Sequence, residues 1–195
     1  MLKALGLVFS ARKRGNCYDC VNYCLEGLQK EGIETRLISM YDYKIEPCSH
    51  CDYECFSERI RGTKETCPIS DDLPKIYHEF EGSDIVVFGV PTYVGQVPSL
   101  FRIFEERSLG ILGFGEHMKV LEGKTYGFIV LNNYFALEEA VRRFYGSRAA
   151  IAWLLLRSRE YGLDPLKTGL IENPDVRNRL NTFTESLMKL SKQKI

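Results

Sequence analysis

The chain has 195 residues with 26 basic and 26 acidic side chains, so no overall field draws it to nucleic acid or to an acidic membrane surface. Its longest apolar runs fall well short of the roughly 20 residues a membrane helix needs. That length fits one domain over residues 1–195, or one domain with an insertion, large enough to bury a real core.

The first stretch, MLKALGLVFSARKRGN, carries its basic cluster after the apolar residues rather than before them. It reads as a first strand near residues 3–9 and not as a signal peptide, so a cytoplasmic address is expected. In that compartment the seven cysteines are metal ligands, redox groups or core residues rather than disulfides. A polar loop follows, and then Cys17, Cys20, Val21, Cys24, Leu25 and Leu28 repeat at helical spacing. A second strand is predicted over Ile33–Ser39, a third over Asp84–Val90 and a fourth over Tyr126–Leu131. The second alternates and is β-branched at its start, whereas the near-continuous apolar character of the third and fourth suits strands covered on both faces.

Helices are predicted between them. Leu73, Ile76, Tyr77 and Phe80 form one stripe, with Ser70, Asp71 and Asp72 as caps and Pro74 in the first turn. Leu100, Ile103 and Phe104 mark another, and residues 136–160 a longer one. The run AAIAWLLL, Ala149–Leu156, is apolar all round, which a helix against a subunit interface would satisfy. A fifth strand is expected near Leu166–Ile171, before Asn173 and Pro174 open a last helix through Leu180, Phe183, Leu187 and Leu190. This alternation implies an α/β fold, a doubly wound parallel sheet of five strands. Residues 40–69 have no period, and such an insertion after strand two is expected to be functional or disordered; four of the seven cysteines lie in it.

In such a sheet, ligands bind beyond the carboxyl ends of the strands. The loop after strand one offers Ser10, Arg12, Lys13, Gly15, Asn16 and Cys17, with hydroxyl, amide and positive charge at a helix start, where a phosphate would fit. It is neither a Walker A loop nor a dinucleotide fingerprint, and a solvated basic turn is the alternative. The loop after strand three offers Pro91, Thr92, Tyr93, Val94, Gly95 and Gln96, with a flat ring and approachable backbone; that after strand four offers Asn132, Asn133 and Tyr134. Together they suit a flat, phosphorylated cofactor.

Ser10-x-Arg12-x-x-x-Asn16, Pro47-Cys48-x-x-Cys51, Cys67 four residues before Asp71-Asp72, Pro91-x-Tyr93 and Phe101-Arg102-x-Phe104-x-x-Arg107 resemble the NADPH-dependent FMN reductase family, and within it the iron-sulfur flavoproteins. The motifs cover about residues 3–110. The resemblance implies a flavodoxin-like fold that binds FMN, its phosphate held by Ser10, Arg12, Asn16 and the amide of Cys17 and its ring against Pro91–Gln96. It implies NAD(P)H as donor and a homodimer or homotetramer. Three departures are visible: Ala11 replaces the family's usual Pro, Cys17 its Thr or Ser, and Asn132-Asn133-Tyr134 its glycine-rich loop.

Cys48, Cys51, Cys55 and Cys67 can together enclose a tetrahedral zinc or a [4Fe-4S] cluster, or hold nothing, and spacing does not choose. The resemblance leans to iron-sulfur, although the last two gaps are longer than that group's compact motif. His50 and Asp52 read as solvated. Cys20 and Cys24 share an apolar helix stripe and read as core, whereas Cys17 at the helix start is expected to be an acidic, reactive thiol. His78 and His117 lack partners for a hydrolytic triad. The expectation is an FMN-dependent oxidoreductase with a small-molecule or protein redox partner and no named catalytic side chain. The alternatives are an electron carrier without its own turnover and a zinc-stabilised module binding a phosphorylated ligand.

Overall fold

The computed structural model describes residues 1–49, 51, 55, 66–113, 116–142 and 149–193. Five parallel strands, β1 (Lys3–Val8), β2 (Glu34–Ser39), β3 (Ile85–Val90), β4 (Thr125–Leu131) and β5 (Ala150–Leu156), form one sheet in the order β2-β1-β3-β4-β5. That is the flavodoxin-like doubly wound order, whose direction of growth reverses between β1 and β3. Strands β3 and β4 are buried at every position, which is why their sequences run apolar without alternation.

Helices cover both faces. Helix α1 (Asn16–Lys30) and α7 (Pro174–Lys192) lie on one, sharing a core with Ala4, Val8, Val87, Ile129 and Leu154. Helix α1 reaches the sheet closely because Gly6 and Gly89 lack side chains; a Cβ on Gly89 would stand 2.6 Å from Val21 and 2.9 Å from the Cys17 sulfur. On the other face lie α2 (Leu73–Glu81), α3 (Ser99–Glu106), the short α4 (Ser108–Leu112) and α5 (Glu116–Leu121), and α6 (Tyr134–Arg142). An aromatic cluster ties that layer to the strands. Phe9 meets Phe101 and Phe104 edge-on at 5.0 and 5.5 Å, and Tyr77 stacks on Phe104 at 4.4 Å. Truncating one such ring to alanine costs about 3–5 kcal/mol in a well-packed core, so the position of α3 is firmly fixed.

Two expectations change. The fifth strand is Ala150–Leu156, not the segment near Leu166–Ile171, and the helix expected over 136–160 is the shorter α6 followed by that strand. An unbroken apolar run has no polar residue to reveal its period, so strand and helix look alike in sequence. Strand β5 sets Leu154 and Leu156 into the core of α1 and α7, while Ile151 and Leu155 face the other layer; Trp153 remains 57 % exposed at the sheet edge. Residues 162–172 instead form turns, with Gly162 and Gly169 at φ 69° and 101° in the left-handed region, ending in a short 3-10 turn at Leu170–Glu172. The Asn173 cap is confirmed, its side chain accepting from the amides of Asp175 and Val176 at 2.9 and 3.4 Å. No described helix is long and apolar enough to cross a membrane.

Candidate functional site

Because every strand runs the same way, the loops after β1, β3 and β4 converge at one end of the sheet. There a crevice of about 130 Å³ is lined by Ser10, Arg12, Gly15, Asn16, Cys17, Pro91, Thr92, Tyr93, Leu131 and Asn132, joined by Pro165 and Leu166. A larger groove, about 340 Å³, lies between β5 and α7, but it lacks such convergent polar groups at the switch point.

The loops lock each other. Ala11 donates its amide to the Tyr93 hydroxyl at 3.0 Å, joining the two loops across the switch point. Tyr93 and Gln96 exchange backbone bonds of 3.0 Å, which closes a two-residue turn with Val94 and Gly95 at φ 51° and 75°. Such a turn suits Gly95, whereas the β-branched Val94 is strained there. A Cβ on Gly95 would lie 3.1 Å from the Asn133 side-chain nitrogen, so the loop after β3 rests on the loop after β4. Asn133 accepts from the Phe135 amide at 2.8 Å, and Asn132, at φ 72°, accepts from Ser158 at 2.9 Å. Tyr134 is exposed beside Phe135 and outside the crevice lining.

At the first loop, the buried Ser10 Oγ accepts the Arg12 amide at 3.1 Å, which leaves its proton to donate elsewhere. Helix α1 begins at Asn16, and the amides of its first turn have no partner inside the helix. Arg12 donates to the Leu166 carbonyl at 3.0 Å, while Asn16 donates to Lys167 at 2.8 Å and accepts from Leu170 at 3.0 Å. The Asn16 side chain thus pins the 164–170 turn as well as facing the crevice. Pro165 and Leu166 carry no motif, and only these long-range bonds reveal them as wall residues. Lys13 is exposed and, like Arg14, which sits 4.1 Å over the Tyr18 ring, adds positive charge without lining the crevice.

The expectation of a reactive Cys17 is overturned. Its thiol is buried against Gly89, and burial, then the neighbouring Cys20 and Asp19, push it well above the ordinary 9.0. Desolvation outweighs the helix terminus because α1 packs so closely on the sheet. Cys20 and Cys24 are core residues as read, both pushed up to about 12, chiefly by burial.

A second constellation stands after β2. Here Cys48 is exposed and Cys51, Cys55 and Cys67 are half-buried, and His50 and Asp52 lie outside the described residues. Cys48 and Cys55 lie near enough to the neighbouring thiols for these to oppose their ionisation. Cys48 is raised by burial, then by Cys51, Glu106 and Cys67, and Cys55 by burial, then by Cys51 and Cys48. Among the described residues, no three His, Cys, Asp or Glu side chains are gathered as they stand around a single metal ion. The donor set is soft and its crowding is the kind a bound cationic centre relieves. Gly110 supplies room, since a Cβ there would lie 3.1 and 3.5 Å from the β-carbons of Cys67 and Cys55. These residues therefore fit a thiolate-bound group.

A parallel sheet with helices on both faces and an anion-suited turn opposite an aromatic loop at its switch point defines the flavodoxin-like class. Within that class, residues 2–150 match the model of the NADPH-dependent FMN reductase family, and the chain belongs to that family. It is 29 % identical over 205 residues to an iron-sulfur flavoprotein of Methanocaldococcus jannaschii, a match covering 95 % of this chain and 97 % of the relative. It is 30 % identical over 152 residues to an iron-sulfur flavoprotein of Archaeoglobus fulgidus, covering 78 % of this chain but only 64 % of that longer protein. Among solved structures it is similar to an FMN-dependent NADH-azoreductase from Bacillus anthracis in complex with FMN. There the TM-score is 0.61 at 13 % identity, covering 97 % of this chain and 99 % of the other. It also resembles RosB, solved with a formylated riboflavin phosphate, at TM-score 0.70 and 19 % identity, over 99 % of this chain and 80 % of that one. These structural likenesses concern the fold.

Proposed function

We propose that the crevice binds FMN and that the chain is an oxidoreductase passing electrons from NAD(P)H or a reduced protein through FMN to a [4Fe-4S] cluster on Cys48, Cys51, Cys55 and Cys67. The observation that carries the flavin assignment is the convergence of Ser10, the α1 amides, Pro91–Tyr93 and Asn132 in one crevice at the switch point. Membership of the family supports it. In this reading Ser10 Oγ and the amides of Asn16 and Cys17 hold the phosphate, with Arg12 across the mouth, as helix termini hold anions. Pro91–Gln96 carries one edge of the ring, and the Tyr93–Ala11 bond keeps that platform in register with the phosphate turn. Asn132 borders the opposite side, with Asn133 behind it against Gly95. The flavin supplies the electron chemistry, and the chain supplies placement and a partly dry, fixed environment. The unit is one FMN-binding domain over residues 1–195, cytoplasmic, acting as a homodimer or homotetramer with a small-molecule or protein acceptor.

Flavin titration of metal-free protein tests the site separately from the cysteines. FMN should bind at least about tenfold more tightly than riboflavin, a difference of roughly 1.4 kcal/mol for the phosphate contacts. Arg12→Ala should erode that preference. Equal binding of the two flavins, or of neither, would contradict the assignment.

A further inference from the structure

The end of α3 and the start of α4 reach three of the four loop cysteines from adjacent positions. Glu106 Oε1 accepts the Cys48 amide at 2.9 Å. Arg107 donates through Nη2 to the Cys67 sulfur at 3.4 Å and to the Ile69 carbonyl at 3.4 Å. The Gly110 carbonyl accepts the amides of Thr66 and Cys67 at 2.8 and 3.0 Å and the Thr66 hydroxyl at 3.1 Å, and its missing side chain admits Cys67 and Cys55.

Arg107 is only 2 % exposed, an expensive place for a guanidinium unless it is paired. Its Nη1 donates to the Glu46 carbonyl at 3.0 Å and to Asp71 Oδ2 in an ion pair whose side chains are both fully buried. Asp71 is itself fixed by accepting the amides of Glu46 and Leu73 at 2.8 and 3.1 Å. The planar fork is thus held from one side, with its other amino group aimed at a sulfur. Nothing in the flavin crevice uses this pair. A buried charge so carefully anchored and spent on a thiol calls for a reason at that thiol.

Building on the cluster reading above, we propose that Arg107, anchored by Asp71, is a positioning residue that donates a charge-assisted hydrogen bond to the Cys67 ligand sulfur, and that Gly110 is the steric seat of the cluster. A donor at a ligand sulfur withdraws charge from the cluster and raises its reduction potential. A side chain at position 110 would crowd Cys67, whose β-carbon it would meet at 3.1 Å, and fill the space beside Cys55 at 3.5 Å.

The test uses the anaerobically purified full chain, with iron, sulfide and flavin content and a potentiometric titration followed by electron paramagnetic resonance. Arg107→Lys keeps a cation for Asp71 but has no second arm for Cys67, so the cluster should remain and its potential should fall. The double variant Asp71→Asn with Arg107→Met removes both buried charges, and its potential should fall in the same direction. Gly110→Ala should lose most iron and sulfide while keeping flavin. An unmoved potential in the first two variants, or full iron content in Gly110→Ala, would overturn this proposal alone. Wild-type protein with neither iron nor sulfide would overturn the cluster reading and this proposal with it.

Discussion

Cys17, Cys20 and Cys24 share with Cys48, Cys51 and Cys55 one spacing, two residues then three, and the fold treats the two groups in opposite ways. On α1 that spacing places the thiols on one helical stripe, pressed between the sheet and α7; the Cys24 sulfur accepts a hydrogen bond from Thr184 at 3.3 Å. After β2 the same spacing, with Cys67 as a fourth thiol, meets a polar shelf instead: Glu106 takes the Cys48 amide, Arg107 reaches the Cys67 sulfur, and Gly110 faces the β-carbons of Cys67 and Cys55. Spacing alone therefore carries no chemistry. What surrounds the sulfurs decides: an apolar layer makes them packing atoms, whereas a polar shelf with a fixed cation leaves them open to the ligand role proposed above.

The contrast can be broken most directly by removing one thiol from each group. Cys67→Ala should abolish iron and sulfide binding while leaving flavin in place, and Cys20→Ala should leave iron, sulfide and flavin unchanged; elemental analysis of both variants decides it. The next effect is kinetic. In protein stripped of metal under anaerobic conditions, iodoacetamide should modify the loop cysteines freely. It should reach Cys17, Cys20 and Cys24 more than about a thousandfold more slowly, because they open only with global unfolding. Peptide mass spectrometry resolves the sites, and rapid labelling of Cys17 would restore the reactive-thiol reading.

The smallest effect is on stability at high pH. Cys20 and Cys24 keep their protons up to about 12 in the folded chain, whereas the unfolded chain releases them near 9.0. Above that lower value the unfolded state binds fewer protons, so stability falls as pH rises from about 9 towards 12. Denaturant melts of wild type and of Cys20→Ala with Cys24→Ala should therefore show a shallower alkaline decline in the double variant. Identical slopes would mean that these thiols are not buried as described.

Much of this was legible in the sequence where one physical signal dominated. Strands β3 and β4 announced themselves because burial on both faces demands unbroken apolar residues, β1 by its short apolar run and β2 by its alternation, and the Asn173–Pro174 cap because its chemistry is local. Strand β5 was misread since Ala149–Leu156 holds no polar residue to mark a period. The crevice loops were found from their positions after strands. Pro165 and Leu166 were not, because their place depends on bonds to Arg12 and Asn16 some 150 residues away in the chain. Cys17 was misjudged because the helix start predicts an acidic thiol, while Gly89 lets the sheet bury it. Arg107 stood in a recognised motif, yet only the fold shows its two hands, one on Asp71 and one on Cys67.

The central claim is that one sheet end carries both a flavin crevice and a redox thiolate site. An absorption spectrum of anaerobically purified full-length protein, with flavin, iron, zinc and sulfide determined on the same sample, tests it most directly. The account predicts flavin bands over a broad iron-sulfur absorption, with iron and sulfide in equal amounts and FMN released on denaturation. Colourless protein that contains zinc and no flavin would contradict it.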